Sequence, residues 1–199
     1  MRVGIIKNRK ELENLECFEV GNLLWGTKEI PRTYGYLGFV LDDGFYLKMI
    51  CEERNPLCVY KDYGDPVYKD SAMEAFFKFQ SKKVEGYFNF EMNANGALLT
   101  EFGTGRSGRK KLDQEVGKLL ECQADIKKDY WSVSLHIPLA VLERYYGEIS
   151  IDENYQFTCN FYKISETKEM EHYASCFVIE SKIPNFHMPE CFGTAIVKK

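Results

Sequence analysis

The sequence is poor in the residues from which metal and redox sites are built. It contains 3 histidines, which lie far apart in the chain, and 7 cysteines, no two of which form a C-x-x-C pair. Zinc-ribbon and thioredoxin-like motifs are therefore excluded. Isolated histidines usually serve as hydrogen-bonded structural or surface residues, so we expect neither a metal site nor another cofactor.

An excess of positive charge and long apolar runs are also missing. The chain has 26 Lys and Arg against 30 Asp and Glu, a net charge of −4, which argues against binding to duplex nucleic acid. No run approaches the roughly 18 apolar residues that a membrane span requires, so no membrane partner is expected. These features leave the oligomeric state open.

Motifs of common enzyme classes are absent as well. The sequence has no G-x-S-x-G, H-E-x-x-H or P-loop motif, which removes the usual signatures of serine hydrolases, zinc proteases and nucleotide hydrolases. The glycines of residues 103–108 resemble a dinucleotide-binding fingerprint, but strand-like patterns surround them in place of the βαβ unit that such a site needs. Nucleotide binding is therefore not expected.

The cysteines and the first segment bear on location. The number of cysteines is odd, and the first twenty residues lack the apolar stretch of a signal peptide. Both features predict a reduced, cytoplasmic protein. A secreted protein that has lost its leader is the alternative.

Aromatic residues and turn signals are abundant. Phe, Tyr and Trp make up 15% of the sequence, and strands favour such rings. Turn sequences divide the chain at short intervals, at residues 42–44, 55–56, 64–66, 95–96 and 103–108. This spacing predicts an all-β fold, a single antiparallel β-sandwich of jelly-roll or immunoglobulin type over residues 1–199. Residues 111–120 and 138–146 predict one or two short helices.

Two hairpins can be placed from these patterns. Residues 36–41 and 45–50 flank Asp42-Asp43-Gly44, which predicts a three-residue loop with Gly44 in the left-handed conformation. Residues 72–79 and 84–92 flank a second loop, and pairing Phe79 with Val84 places Glu74 opposite Asn89. Apolar side chains then occupy one face of both strands and polar side chains the other.

The polar face has the composition of a sugar-binding site. It carries Glu74, Asn89 and Glu91, whose planar carboxylate and amide groups are good hydrogen-bonding partners for hydroxyl groups. Sugar rings also have an apolar C–H face that packs on aromatic rings. The candidate rings are Trp25, Tyr68, Phe76, Tyr87 and Phe186.

A short basic cluster follows the Gly-rich turn. It consists of Arg106, Arg109, Lys110 and Lys111. Such a cluster is usually a solvated loop. The functional alternative is that Arg106 reaches over the polar face as a hydrogen-bonding fork for ligand hydroxyls or carboxylates.

Several segments resemble, in order, those of family 9 carbohydrate-binding modules. Residues 65–77 are similar to the signature D-x-V-(W/Y)-x-D-S-x-x-E-x-F-F, and residues 87–96 to the segment Y-x-N-F-E-x-N-x-x-G. Further matches are Trp131 with the Ile137-Pro138 step, residues 160–163, residues 172–173, and residues 184–193, which contain F-H-x-P-E-x-F-G. The resemblance covers residues 20–197.

That resemblance implies a β-sandwich that holds a sugar between two aromatic rings and does not cleave it. Tyr68 matches one ring, although relatives often have Trp there, and Glu74 matches a hydrogen-bond acceptor beside it. Phe186 is the nearest match to the second ring, with Asn185 and His187 next to it. Some members of the family bind calcium, and only the resemblance suggests calcium here.

Two other functions use the same residues. Glu74 and Glu91 could serve as the acid and base of a sugar-acting enzyme, which needs two carboxyl groups about 5–10 Å apart. A haem- or protein-binding sandwich is the other, with Met92 and either His187 or His172 as haem ligands. We favour a non-catalytic protein that binds a small sugar or a glycan end. The predicted site consists of Tyr68, Glu74, Asn89, Glu91, Arg106, Phe186 and His187.

Overall fold

The computed structural model describes all residues 1–199 and is built mainly from short strands. The strands are β1 (Arg2–Ile5), β2 (Phe18–Glu19), β3 (Asn22–Leu23), β4 (Thr33–Val40), β5 (Gly44–Cys51), β6 (Ala72–Lys78), β7 (Tyr87–Asn93), β8 (Leu98–Gly103), β9 (Lys110–Lys111), β10 (Gln123–Ile126), β11 (Trp131–Pro138), β12 (Gln156–Ser165), β13 (His172–Ser175) and β14 (Gly193–Lys198). The α-helices are α1 (Gln114–Leu119) and α2 (Leu139–Tyr146), and 3-10 turns span Arg9–Asn14, Val67–Lys69 and Pro189–Cys191. The predicted all-β class with short helices is confirmed.

The strands form one continuous sheet that curls into two facing layers. The main path runs β10-β11-β5-β4-β1-β14-β12-β6-β7-β8-β9. Phe45 on β5 lies 5.2 Å from Phe157 on β12, centroid to centroid, although three strands separate these two in the sheet. Phe18 stacks on Phe161 at 3.8 Å in the same way. The rings between the layers belong to a core of 35 buried residues.

The sheet is mixed, where the sequence predicted a purely antiparallel one. Strand β1 pairs in parallel with both β14 and β4 and so joins the two layers. All other pairings are antiparallel. Alternation of apolar residues shows that a strand has a buried face, but it does not show in which direction the neighbouring strand runs.

The first predicted hairpin forms, with a loop shifted by one residue. Val40 pairs with Gly44, so the loop consists of residues 41–43, and Asp42 has the left-handed conformation with φ = 60°. Gly44 is required for another reason. A Cβ atom at this position would lie 2.3 Å from the carbonyl oxygen of Ile137 on β11.

The second hairpin also forms, but its register differs from the predicted one by two residues. Glu74 lies opposite Glu91, and Phe76 lies opposite Asn89. At this register the hydroxyl of Tyr146 on α2 bridges the two strand ends, accepting from the backbone N–H of Phe79 (3.3 Å) and donating to the carbonyl of Gly86 (2.9 Å). Because the shift is an even number of residues, every side chain stays on its predicted face.

The polar face of β6, β7 and β12 is covered by other parts of the chain. A second cluster of 10 buried residues, including Phe76, Tyr162, Phe186 and Phe192, lies on that face. Rings from the segment before β14 cover much of it, and the part they leave uncovered forms a cavity. No helix in the structure has the length and apolarity needed to cross a bilayer.

Candidate functional site

A cavity of 620 Å³ lies over β6, β7 and β8 and is closed at its sides by loops. Its volume falls within the range of about 300–1,000 Å³ that is usual for small-molecule sites. Every residue of the predicted site except Asn89 lines it. These residues are Tyr68, Glu74, Glu91, Arg106, Phe186 and His187. The structure thus brings together side chains that are up to 119 positions apart, from Tyr68 to His187 (187 − 68 = 119).

Two carboxyl groups form the floor of this cavity. Glu74 and Glu91 lie directly opposite each other on β6 and β7 and are 3% and 5% exposed. Glu91 Oε1 accepts a hydrogen bond from Asn89 Nδ2 at 2.9 Å, whereas its buried Oε2 atom has no partner. Burial raises the pKa of Glu91 to about 8. Burial, followed by the charge of Glu91, raises the pKa of Glu74 well above its ordinary value.

Asn89 lies beneath the floor and, unlike the other residues of the predicted site, does not line the cavity. The residue is fully buried, and its Oδ1 atom accepts from Nε and Nη2 of Arg109 at 3.0 and 2.7 Å. Its Nδ2 atom donates to Glu91 Oε1. Asn89 therefore links Arg109 to the carboxyl group of Glu91 through hydrogen bonds to both residues.

Arg109 was expected to be a solvated member of the basic cluster and is instead buried. Its side chain is 3% exposed and stacks over the ring of Tyr87 with Cζ 4.2 Å from the centroid. It also donates to the backbone carbonyls of Tyr87, Glu101 and Gly105 at 2.9, 3.3 and 3.0 Å. No local pattern separates this arginine from its exposed neighbours, because its burial depends on strands β7 and β8.

Aromatic rings form one wall of the cavity. Phe186 is stacked on Tyr162 with centroids 4.2 Å apart, so one of its faces is already covered. Trp25 lies 5.4 Å from Phe186, and its Nε1 atom donates to the carbonyl of Ser181 at 2.9 Å. Trp25 has φ = 50°, a conformation that is costly for a bulky residue and that is often found at binding sites. Tyr68 lines the same cavity and is only partly buried.

His187 closes the cavity above these strands. Its Nδ1 atom lies 2.9 Å from the hydroxyl of Tyr87, and its ring is tilted over Phe76 at 4.8 Å. Burial, with the nearby charges of Arg109 and Arg106, lowers the pKa of His187 to about 3. The imidazole is therefore neutral near pH 7 and can act as a hydrogen-bonding group without adding charge.

The rim contains charged residues that the sequence did not place in the site. Glu101, Lys111 and Glu166 line the cavity beside Arg106, whose Nη1 atom donates to the carbonyl of Pro184 at 3.2 Å. Glu101 follows the Asn95-Gly96 turn on a strand with alternating side chains, and that pattern is a usable signal for β8. Glu166 lies in a loop and carries no such signal.

Other residues of the sequence signature hold the backbone around the cavity. The carboxylate of Asp70 accepts from the backbone N–H groups of Val59 and Tyr60 and from Nδ2 of Asn93. The Oδ1 atom of Asn93 accepts from the backbone of Asn95 and Ala97, which fixes the turn before β8. Asp70 and Asn93 are thus structural, while the glutamates between them on β6 and β7 face the cavity.

A family model supports the resemblance that these segments suggested. The model of carbohydrate-binding family 9 matches residues 7–197, nearly the whole chain. The chain belongs to carbohydrate-binding family 9. Because this is a family of binding modules, the chain is a non-catalytic carbohydrate-binding domain, and the hypothesis of a sugar-cleaving enzyme is not supported.

Solved structures show the same fold. A protein from Bacteroides uniformis ATCC 8492, whose own carbohydrate-binding role is a proposal, is similar with a TM-score of 0.86 at 19% identity, over 100% of this chain and 98% of that one. A family 9 module from Caldicellulosiruptor kristjanssonii in complex with glucose has a TM-score of 0.66 at 11% identity, over 100% and 96% of the two chains. Its cellotriose complex gives 0.66 at 12%, over 100% and 94%. No curated protein is significantly similar in sequence.

The structure also bears on the haem hypothesis and on metal binding in this family 9 domain. Met92 belongs to the main core, whereas His187 lies on the other face of the sheet, so these two cannot ligate one haem. Both ring nitrogens of His172 are engaged in hydrogen bonds, one with Lys163 and one with the carbonyl of Met170. No group of three or more His, Cys, Asp or Glu side chains is arranged to hold a metal ion.

The buried ionisable groups predict an unusual pH dependence of stability. The folded-state pKa values of His172 and His187, about 4 and about 3, lie below their ordinary value of 6.5. Below pH 6.5 these histidines bind protons in the unfolded chain but not in the folded one, so the folded protein loses stability as the pH falls. Glu74 and Glu91 have raised pKa values in the folded protein and ionise more easily in the unfolded chain, so the folded protein also loses stability as the pH rises from 4.5 towards 8. The two effects oppose each other between pH 4.5 and 6.5, where we expect the highest stability.

Calorimetric Tm values from about pH 3 to about pH 9 test this expectation. The Tm should fall on both sides of the maximum, and Glu91→Gln should reduce the fall on the alkaline side. A Tm that rises steadily from about pH 5 to about pH 8 would contradict the assignment of these pKa shifts.

Proposed function

We propose that the cavity binds a small sugar or the terminal sugar unit of a glycan, with glucose as the first candidate. The observation that carries this proposal is a pair of buried carboxyl groups, with Glu91 Oε2 lacking a hydrogen-bond partner, at the base of a cavity with an aromatic wall. Carboxylates accept hydrogen bonds from sugar hydroxyls, and aromatic rings pack on sugar C–H groups. The family 9 module from Caldicellulosiruptor kristjanssonii, which shares the fold, was solved with glucose and with cellotriose.

Within this proposal Tyr68 and Glu74 contact the ligand directly. Tyr68 supplies a ring that is still partly open to the cavity, and Glu74 is a carboxyl group that no protein group satisfies. Trp25 is a better second ring than Phe186, because Tyr162 already covers one face of Phe186. Arg106 lies at the rim of the cavity, where it can donate to ligand hydroxyls.

Replacing Tyr68 and Glu74 by Ala tests the site. We expect each variant to weaken binding of glucose and cellotriose at least about tenfold, because stacking or a charge-assisted hydrogen bond is lost. Isothermal titration calorimetry measures the affinity, and the Tm reports folding. Tyr130→Ala is the matched control, since Tyr130 is an exposed tyrosine outside the cavity. Undiminished binding by the Tyr68→Ala, Glu74→Ala double variant would overturn the site assignment.

We also infer a cytoplasmic location. The support is the state of the cysteines, because all seven are free and none is paired in a disulfide. Secreted proteins of this size commonly use disulfides, whereas cytoplasmic thiols stay reduced. Fractionation of the native cells, with detection of this chain in the soluble cytoplasmic fraction or in the medium, tests the inference.

A further inference from the structure

The floor of the cavity holds two carboxyl groups without a compensating cation. Neither Glu74 nor Glu91 forms an ion pair in the protein, and Glu91 Oε2 is buried without a hydrogen bond. Arg109 is the nearest buried arginine, but its donors go to Asn89 and to backbone carbonyls. The ammonium of Lys163 likewise forms hydrogen bonds with Ser71 Oγ and His172 Nε2.

Charged groups around the floor are distributed unevenly. Those that influence the two glutamates or line the cavity are Glu101, Glu166, Arg106, Arg109, Lys111, Lys163 and His187. Arg106 and Lys111 are exposed cations at the rim, where water screens their charge, and Lys111 Nζ donates to the carbonyl of Gly64 at 2.8 Å. His187 is neutral. The deepest part of the cavity is therefore suited to a donor-rich or positively charged group, and it disfavours an anion.

We propose that the cavity selects sugars that carry an amino group, binding a hexosamine more tightly than the corresponding neutral sugar, with its ammonium group between Glu74 and Glu91. An ammonium group has three N–H donors, so it can satisfy both the unpartnered Glu91 Oε2 atom and the carboxyl of Glu74. Neutral hydroxyls supply one donor each and no charge. This inference rests on the proposed sugar-binding function and adds the ligand class to it.

A proton must be accounted for when such a sugar binds. Because burial raises the pKa of Glu91 to about 8, its carboxyl group holds a proton in the empty site at slightly acidic pH. An ammonium group in contact with this carboxyl stabilises the ionised form. The carboxyl proton is then released to the buffer, while the sugar keeps its own. Binding of a neutral sugar releases no proton by this route.

Titration calorimetry with four sugars tests the preference. Glucosamine, glucose, N-acetylglucosamine and glucuronate are compared at about pH 6.5, where the amine is charged, in two buffers of different ionisation enthalpy. We expect glucosamine to bind at least about tenfold more tightly than glucose, because a charge-assisted hydrogen bond replaces a neutral one. Proton release should accompany only glucosamine, and glucuronate should bind most weakly.

Carboxamide variants separate this inference from the proposed function. Glu91→Gln and Glu74→Gln should each abolish most of the preference for glucosamine over glucose and remove the proton release. Glu115→Gln, on the exposed side of α1, is the control and should change neither. Glucose that binds as tightly as glucosamine in the unmodified protein would overturn the amino-sugar preference alone. Failure of all four sugars to bind would overturn the proposed function as well.

Discussion

Replacement of Arg109 by Met is expected to unfold a large part of the site and to lower the free energy of unfolding by about 3–5 kcal/mol. The reason is the number of groups that depend on its guanidinium. Asn89 and three backbone carbonyls would lose their donor, and all of them lie in or next to the buried floor. Unsatisfied buried polar groups are costly because no water replaces the missing bond.

Sugar binding should be lost in the same variant. Arg109 fixes Asn89, and Asn89 fixes Glu91, so the floor carboxyl loses its orientation even in molecules that remain folded. Urea denaturation measures stability, and calorimetry measures affinity. Lys110→Met is the matched control because Lys110 is the exposed neighbour in the same basic cluster. An Arg109→Met protein within about 1 kcal/mol of the original stability would contradict the buried network.

Replacement of Lys163 by Met should also cost about 3–5 kcal/mol, because it leaves a buried carboxylate without its cation. Lys163 is fully buried, and its Nζ atom lies 4.0 Å from Glu53 Oε2. It donates to Ser71 Oγ at 2.7 Å, and Ser71 donates in turn to Glu53 at 2.5 Å. The indole N–H of Trp131 donates to the same carboxylate at 2.9 Å.

This second network joins the two layers of the sandwich, since Trp131 is on β11 and Lys163 is on β12. The double variant Lys163→Met, Glu53→Gln should recover part of the lost stability, because no unpaired charge remains. Urea denaturation of the two single variants and the double variant gives the coupling between them. Strictly additive losses would show that the two groups do not interact, which would contradict this arrangement.

The sequence was sufficient for features that depend on alternation along one strand. Successive side chains of β6 and β7 point to opposite faces of the sheet, so Glu74 and Glu91 had to share a face with each other and not with Phe77 or Phe90. A register error of two residues left this conclusion intact. The all-β class and the two short helices followed from the same local patterns.

The tertiary structure decided what depends on contacts between distant residues. Tyr146 bridges Phe79 and Gly86 at the ends of β6 and β7 from a position 60 residues beyond Gly86, and no pattern within the hairpin shows this. Burial separates Arg109 from Arg106, although both belong to one basic cluster. Phe186 and Phe192 cover part of the polar sheet face and bury the side chains beneath them. Sequence periodicity reports which way a side chain points, whereas only the packed chain determines what it meets and how much water remains there.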